Sequence, residues 1–89
     1  MTRAEITIAW SRGLHLRRAA ELVRLAQRFS SQISVQVDSR MADAKSVLSL
    51  MLLSAGLGTA LTIEAMGADE AEAMHAVQQF FSELSVGES

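Results

Sequence analysis

Three short stretches of this chain alternate apolar and polar residues, and no other feature constrains its fold as strongly. They are Ala4-Glu5-Ile6-Thr7-Ile8, Ile33-Ser34-Val35-Gln36-Val37 and Leu61-Thr62-Ile63-Glu64-Ala65. A strand points successive side chains to opposite faces, so each stretch reads as a strand with one apolar and one wet side. A short fourth strand is expected near Arg40–Asp43, after the turn chemistry of Asp38-Ser39. From Arg17 to Phe29 the period becomes helical. Leu22, Leu25, Ala26 and Phe29 share one face there, while Arg17, Glu21, Arg24 and Arg28 line the opposite one. Ser46 to Leu53 suits a short helix ended by Ala55-Gly56-Leu57-Gly58. A last helix follows Gly67-Ala68, with Asp69 expected as its cap and Glu72 three residues on. Its apolar stripe comprises Ala73, Val77, Phe80, Phe81 and Leu84.

The order β-α-β-β-α-β-α predicts an α+β fold in two layers, a four-stranded antiparallel sheet with three helices on one face. The other face then meets water through Glu5, Thr7, Ser34, Gln36, Thr62 and Glu64. The 89 residues are expected to form a single domain, 1–89, because a second core would leave each half too small.

Composition removes several function classes. With no cysteine there is no disulfide framework, thiol nucleophile or zinc-thiolate site. The first residues, Met1 to Glu5, lack the apolar stretch of a signal peptide. The longest apolar run, Val47 to Leu57, is broken by Ser49 and Ser54 and falls far short of the ~20 residues a membrane span needs. A cytoplasmic protein without membrane insertion is therefore expected. The net charge is −2, but residues 1–28 carry six arginines against two glutamates, whereas the remainder sets Arg40 and Lys45 against eight acids. This asymmetry points to a face that meets an anionic ligand or an acidic partner. It is too small and local for nucleic acid.

The basic segment contains Gly13-Leu14-His15-Leu16-Arg17, with the histidine placed just before a helix. The first N–H groups of a helix have no intrahelical partner, and the dipole adds roughly half a positive charge there. That end is ready to bind an anion. A phosphoryl group on the imidazole falls among those donors, and Arg17 adds a planar cationic fork for its oxygens. Gly13 permits the tight entry. These features suit a nucleophile that carries a phosphoryl group between larger proteins. An ordinary capping or surface histidine fits the same local context, and Gly-x-His-x-Arg alone is too short to separate the two.

Several short motifs in one register bear on that choice. Gly13-Leu14-His15 with Arg17, then Ala19-Ala20, the Ala44-Lys45-Ser46 block and the Gly67-Ala68-Asp69-Glu70 turn together resemble the HPr family. These are the histidine-containing phosphocarriers of the phosphoenolpyruvate-dependent sugar phosphotransferase system. The resemblance runs along essentially the whole chain and implies the family's open-faced β-sandwich. It further implies that His15 accepts a phosphoryl group on Nδ1 from phospho-enzyme I and passes it to IIA-type proteins. Arg17 would then steady the phosphate. Such a protein is a stoichiometric carrier rather than a stand-alone catalyst, with no cofactor or metal, and is expected as a monomer. One departure stands out: the family usually has proline where this chain has Arg18. Loss of that proline is expected to loosen the helix start and to put a further charge near the site.

The helix from Ser46 is apolar nearly all round. With Leu50 and Leu53 inward, Val47, Leu48, Met51 and Leu52 are left at least partly exposed, which suits a docking patch; a homodimer contact, or a helix buried more deeply than this, is the alternative. The resemblance implies docking of enzyme I and IIA proteins there, and the expected docking set is Leu16, Arg18, Arg24, Val47, Leu48 and Met51. Ser46 suits the helix cap. In one family branch the matching serine is phosphorylated by an HPr kinase/phosphorylase, which makes Ser46 a regulatory candidate. A regulatory adaptor of the same fold, binding partners without phosphotransfer, is the main competing reading. A ferredoxin-like small-molecule binding domain is a weaker one. His75 is expected as a solvated surface residue, Asp69, Glu70 and Glu72 as structural acids, and Trp10 at a core edge with a role at the site's rim left open.

Overall fold

The computed structural model describes residues 1–83, so Leu84 of the expected apolar stripe lies outside the described residues. The elements are β1 (Thr2–Thr7), α1 (Leu16–Ala26), β2 (Gln32–Val37), β3 (Arg40–Asp43), α2 (Val47–Met51), β4 (Ala60–Met66) and α3 (Glu70–Glu83). The strands form one antiparallel sheet in the order β1-β4-β2-β3. The α+β class, the order of elements and the helices on one side of the sheet are as expected. Register follows the alternation. Ile63 lies between Ala4 and Val35, so the inward residues of three strands meet in one layer. Ile33, Val35, Val37, Leu61, Ile63 and Ala65 are buried there, while Glu5 and Thr7 are exposed and Ser34, Gln36, Thr62 and Glu64 half-buried on the open face.

Three local expectations shift. Helix α1 stops at Ala26 rather than Phe29, since the Arg28 and Phe29 N–H groups reach back only three residues, to Leu25 and Ala26. Its buried stripe is Arg18, Ala19, Leu22, Val23 and Ala26, with Leu25 and Phe29 only half-buried. The expected face is thus rotated toward Val23. Asp69 occupies the start of α3, its carbonyl accepting from the Ala73 N–H, but its carboxylate does not cap that helix. It reaches across to the α1–β2 connection and accepts from the Ser30 N–H, the Ser31 N–H and the Ser31 hydroxyl. Gly67 permits this closure, because a Cβ there would lie 2.7 Å from Ser31 Cα. A long-range contact has taken the carboxylate from its local role.

These bonds have a pH signature. The Ser31 hydroxyl, chiefly, and the Ser30 and Ser31 N–H groups hold the Asp69 carboxyl down to about 2, from an ordinary 3.8. The Met1 ammonium, then the Gly67 N–H and the Thr2 hydroxyl, bring Glu70 to about 2 from 4.5. A depressed folded value stabilises the fold above the unfolded value and withdraws that stability as pH falls through the folded one. Stability is therefore expected to decline from about pH 4.5 down to pH 2. Chemical denaturation across that window checks this, and Asp69→Asn should flatten the slope.

Helix α2 keeps its expected cap, since Ser46 Oγ accepts from the Ser49 N–H at 3.2 Å. Leu50 and Leu53 turn inward as expected. Just past its end Ser54 adopts a left-handed conformation, φ 53°, which costs an L-residue about 1–2 kcal/mol relative to glycine. Ser54→Gly removes that cost and regains part of it as unfolded-state freedom. A net gain of about 0.5–1 kcal/mol, read as a melting temperature about 4 °C higher, is expected. An unchanged or lower melting temperature would contradict it.

Candidate functional site

His15 takes the N-cap position of α1. Its backbone is extended (φ −92°, ψ 177°) and its carbonyl accepts the Ala19 N–H at 2.9 Å. Its half-buried side chain makes no capping hydrogen bond, so capping does not account for a histidine here. Serine or aspartate would cap better.

Backbone contacts fix the loop before it. The Gly13 N–H donates to the Trp10 carbonyl at 2.9 Å, and the Leu14 N–H donates to the Ala55 carbonyl at 2.8 Å. Gly13 has φ +67°, and a Cβ there would lie 2.4 Å from the Ala55 oxygen and 2.5 Å from Gly56 Cα. Leu14 is buried and anchors the loop in the core. His15 therefore sits where the β1–α1 loop rests on the α2–β4 loop, and its position depends on both.

Arg17 is exposed in the first turn of α1, which has no acidic residue. Arg24 is exposed two turns further on, about 10 Å along the axis. The start of α1 therefore brings the positive end of the helix dipole, a half-buried imidazole and an exposed guanidinium together. An anion is the complementary ligand.

Next to this lies an apolar surface. Helix α2 packs on α1 and β3, and its outward side chains remain uncovered. Leu48 is 69% and Leu52 70% exposed, Leu16 at the start of α1 is 62% exposed, and so is Leu57 in the α2–β4 loop. Val47 and Met51 are half-buried against the core. Leu57 is the member sequence reasoning missed. The signal was a large apolar residue between two glycines in a loop, where nothing forces it inward.

Two residues lie elsewhere than expected. Arg18 is not exposed as its place in the expected docking set required: it is 3% exposed. Its Nη1 donates to Glu21 Oε1 at 3.0 Å, and its guanidinium carbon lies 5.7 Å from the centre of the Trp10 ring. The physical reason is the helical period, since Arg18, Leu22 and Ala26 stand four apart and share the buried face. Trp10 is not at a rim but wholly buried, stacked on Phe81 at 5.1 Å and edge-on to Phe80 at 5.6 Å. Ser46 lies at the far end of α2 from the loop that supports Gly13, and His75 is exposed on α3. Asp69 and Glu70 spend their carboxylates on protein donors, and Glu72 is exposed. Among the described residues, no helix is long and apolar enough to cross a membrane.

Known proteins share this arrangement. The family model for PTS-HPr, described as the PTS HPr component phosphorylation site, matches residues 2–83. The phosphocarrier protein HPr of Cupriavidus necator is 43% identical over 77 residues, covering 86% of each chain. The HPr-like protein Crh of Halalkalibacterium halodurans is 38% identical over 80 residues, covering 90% of this chain and 95% of its own. Among solved structures, HPr from Thermoanaerobacter tengcongensis superposes with a TM-score of 0.91 at 38% identity, covering 100% of this chain and 99% of that one. The chain belongs to the HPr family.

Proposed function

We propose that this chain is a phosphocarrier that accepts a phosphoryl group on His15 Nδ1 from phospho-enzyme I and passes it to IIA-type proteins of the phosphotransferase system. The observation that carries this reading is His15 at the N-cap of α1 without a capping bond, with Arg17 exposed in the first turn. A phosphoryl dianion there gains the α1 N–H groups, the helix dipole and the Arg17 fork. Transfer needs little more than positioning and charge stabilisation, which a docked partner completes. Leu16, Val47, Leu48 and Met51, joined by Leu52 and Leu57, supply the docking surface, and Arg24 steers acidic partners toward it. Residues 1–89 act in this reading as one HPr domain, monomeric and cytoplasmic, without a metal or cofactor.

Ser46 is the proposed site of regulation by an HPr kinase/phosphorylase. A phosphate there sits at the start of α2, where it repels acidic partners without requiring the helix to unfold. A second reading has one observation in its favour, the likeness to the HPr-like protein Crh: a regulatory adaptor that binds partners without transfer.

Two variants separate them. Leu48→Asp places a charge in the centre of the docking surface and is expected to raise the KM for enzyme I at least about tenfold, or about 1.4 kcal/mol, with little loss of stability. His15→Ala is expected to abolish phosphoryl acceptance while enzyme I still binds. If the unaltered protein accepts no phosphoryl group, while partner binding survives His15→Ala and is lost in Leu48→Asp, the carrier reading fails and the adaptor reading stands.

A further inference from the structure

An arginine is an unfavourable choice for the buried side of a helix's first turn. It brings a cation to the positive end of the dipole, and its charge must be taken out of water. Here two contacts offset that cost. Glu21, one turn on and half-buried, accepts from Nη1 at 3.0 Å. The Trp10 face lies within cation–π range at 5.7 Å. Trp10 itself packs on Phe80 and Phe81 of α3, with Phe81 near-parallel to it and Phe80 edge-on. Its carbonyl also holds the Gly13 N–H. Arg18 therefore joins the first turn of α1 to the residue that fixes the loop leading into His15, and through it to α3.

We propose that Arg18 is a positioning residue whose buried guanidinium, held by Glu21 and the Trp10 ring, fixes the first turn of α1 and so the phosphoryl-binding geometry at His15. Proline at this place would set the turn through its restricted φ. Here the restraint comes instead from a side chain wedged between two elements. Arg17, exposed in the same turn, is left to meet the phosphoryl group, and Arg18 acts on the chemistry only through the backbone it holds.

The functional part rests on the phosphocarrier reading, so the experiment has one arm that requires it and one that does not. Amide hydrogen exchange on Arg18→Met, Arg18→Lys and the unaltered protein requires no partner. Arg18→Met is expected to lower protection of the Ala19 N–H, which closes the first turn on His15, at least tenfold, while Gln27, bonded to Val23 at the other end of α1, is unchanged. Arg18→Lys, which keeps a cation near Trp10 and Glu21, should recover part of the loss. In the second arm, phosphoryl transfer from enzyme I is measured on the same variants. The expected result is a kcat reduced about tenfold in Arg18→Met with KM altered less than twofold, and partial rescue by lysine. Equal protection loss at Ala19 and Gln27, or a change confined to KM, would overturn the proposal. An unaltered protein that accepts no phosphoryl group would sink the phosphocarrier reading while leaving the exchange result to decide the role of Arg18.

Discussion

Gly13→Ala is expected to be the most damaging single-methyl change in the molecule. The added Cβ has no room: it meets the Ala55 carbonyl oxygen at 2.4 Å and Gly56 Cα at 2.5 Å, both backbone atoms that no rotamer change can clear. The same substitution puts alanine at φ +67°, which costs a further 1–2 kcal/mol or so. Overpacking of a well-filled site adds about 1–3 kcal/mol. The sum, roughly 2–5 kcal/mol, is a large part of the 5–15 kcal/mol that holds a small domain together. A melting temperature lowered by about 8 °C or more follows from the usual scaling for a domain of this size. Thermal denaturation checks it, with Gly56→Ala as control. That position has nothing within 4 Å of an added Cβ and is expected to lose less than about 1 kcal/mol. The effect reaches beyond stability. The clash separates the β1–α1 loop from the α2–β4 loop, and the Leu14–Ala55 bond that fixes the approach to His15 is the first to yield.

Trp10→Ala is expected to follow closely. Trp10 is fully buried, and its removal leaves a cavity bounded by Phe80, Phe81 and the Arg18 guanidinium. Large aromatic truncations in cores cost about 3–5 kcal/mol. Here Arg18 also loses the ring that faces its charge. Trp10→Phe keeps an aromatic face and should retain more than half of the lost stability. Urea denaturation of the two variants gives the comparison directly. If Trp10→Ala costs less than about 1 kcal/mol, the aromatic cluster is not the link between α1 and α3 that its geometry describes.

Both residues mark where the sequence could be read and where it could not. The strands were legible because alternation is a local property that a sheet with one wet face enforces: Ile33, Val35 and Val37 point inward for the same reason that Ser34 and Gln36 do not. The inward turn of Leu50 and Leu53 was legible from helical spacing. Asp69 was misread because its local pattern is that of a cap, and only the fold brings Ser30 and Ser31 within reach of its carboxylate. Trp10 was placed at an edge because the rings that enclose it lie about seventy positions away, on α3. Arg18 is the instructive case. Its spacing to Leu22 and Ala26 announced burial, yet its charge argued for the surface. The charge is buried because Trp10 and Glu21 receive it; Glu21 lies three residues on in the same helix, but the Trp10 contact is not visible without the fold.

At the proposed site, Gly13, His15 and Arg17 could be singled out from the sequence alone, since each is defined by its place along one short segment at the start of α1. The apolar surface beside it was legible in part: Leu48 and the half-buried Met51 followed from the apolar α2, whereas Leu57 belongs to a loop whose direction periodicity does not set.

The central claim is that the phosphoryl group resides on His15. Intact-mass spectrometry after incubation with phosphoenolpyruvate and the cognate enzyme I tests it most directly, with peptide mapping under alkaline conditions to locate the modification. The expected result is one phosphoryl group on the peptide that carries His15, lost on brief acid treatment and absent in His15→Ala. No adduct on the unaltered protein, or an adduct that persists in His15→Ala, would contradict the account.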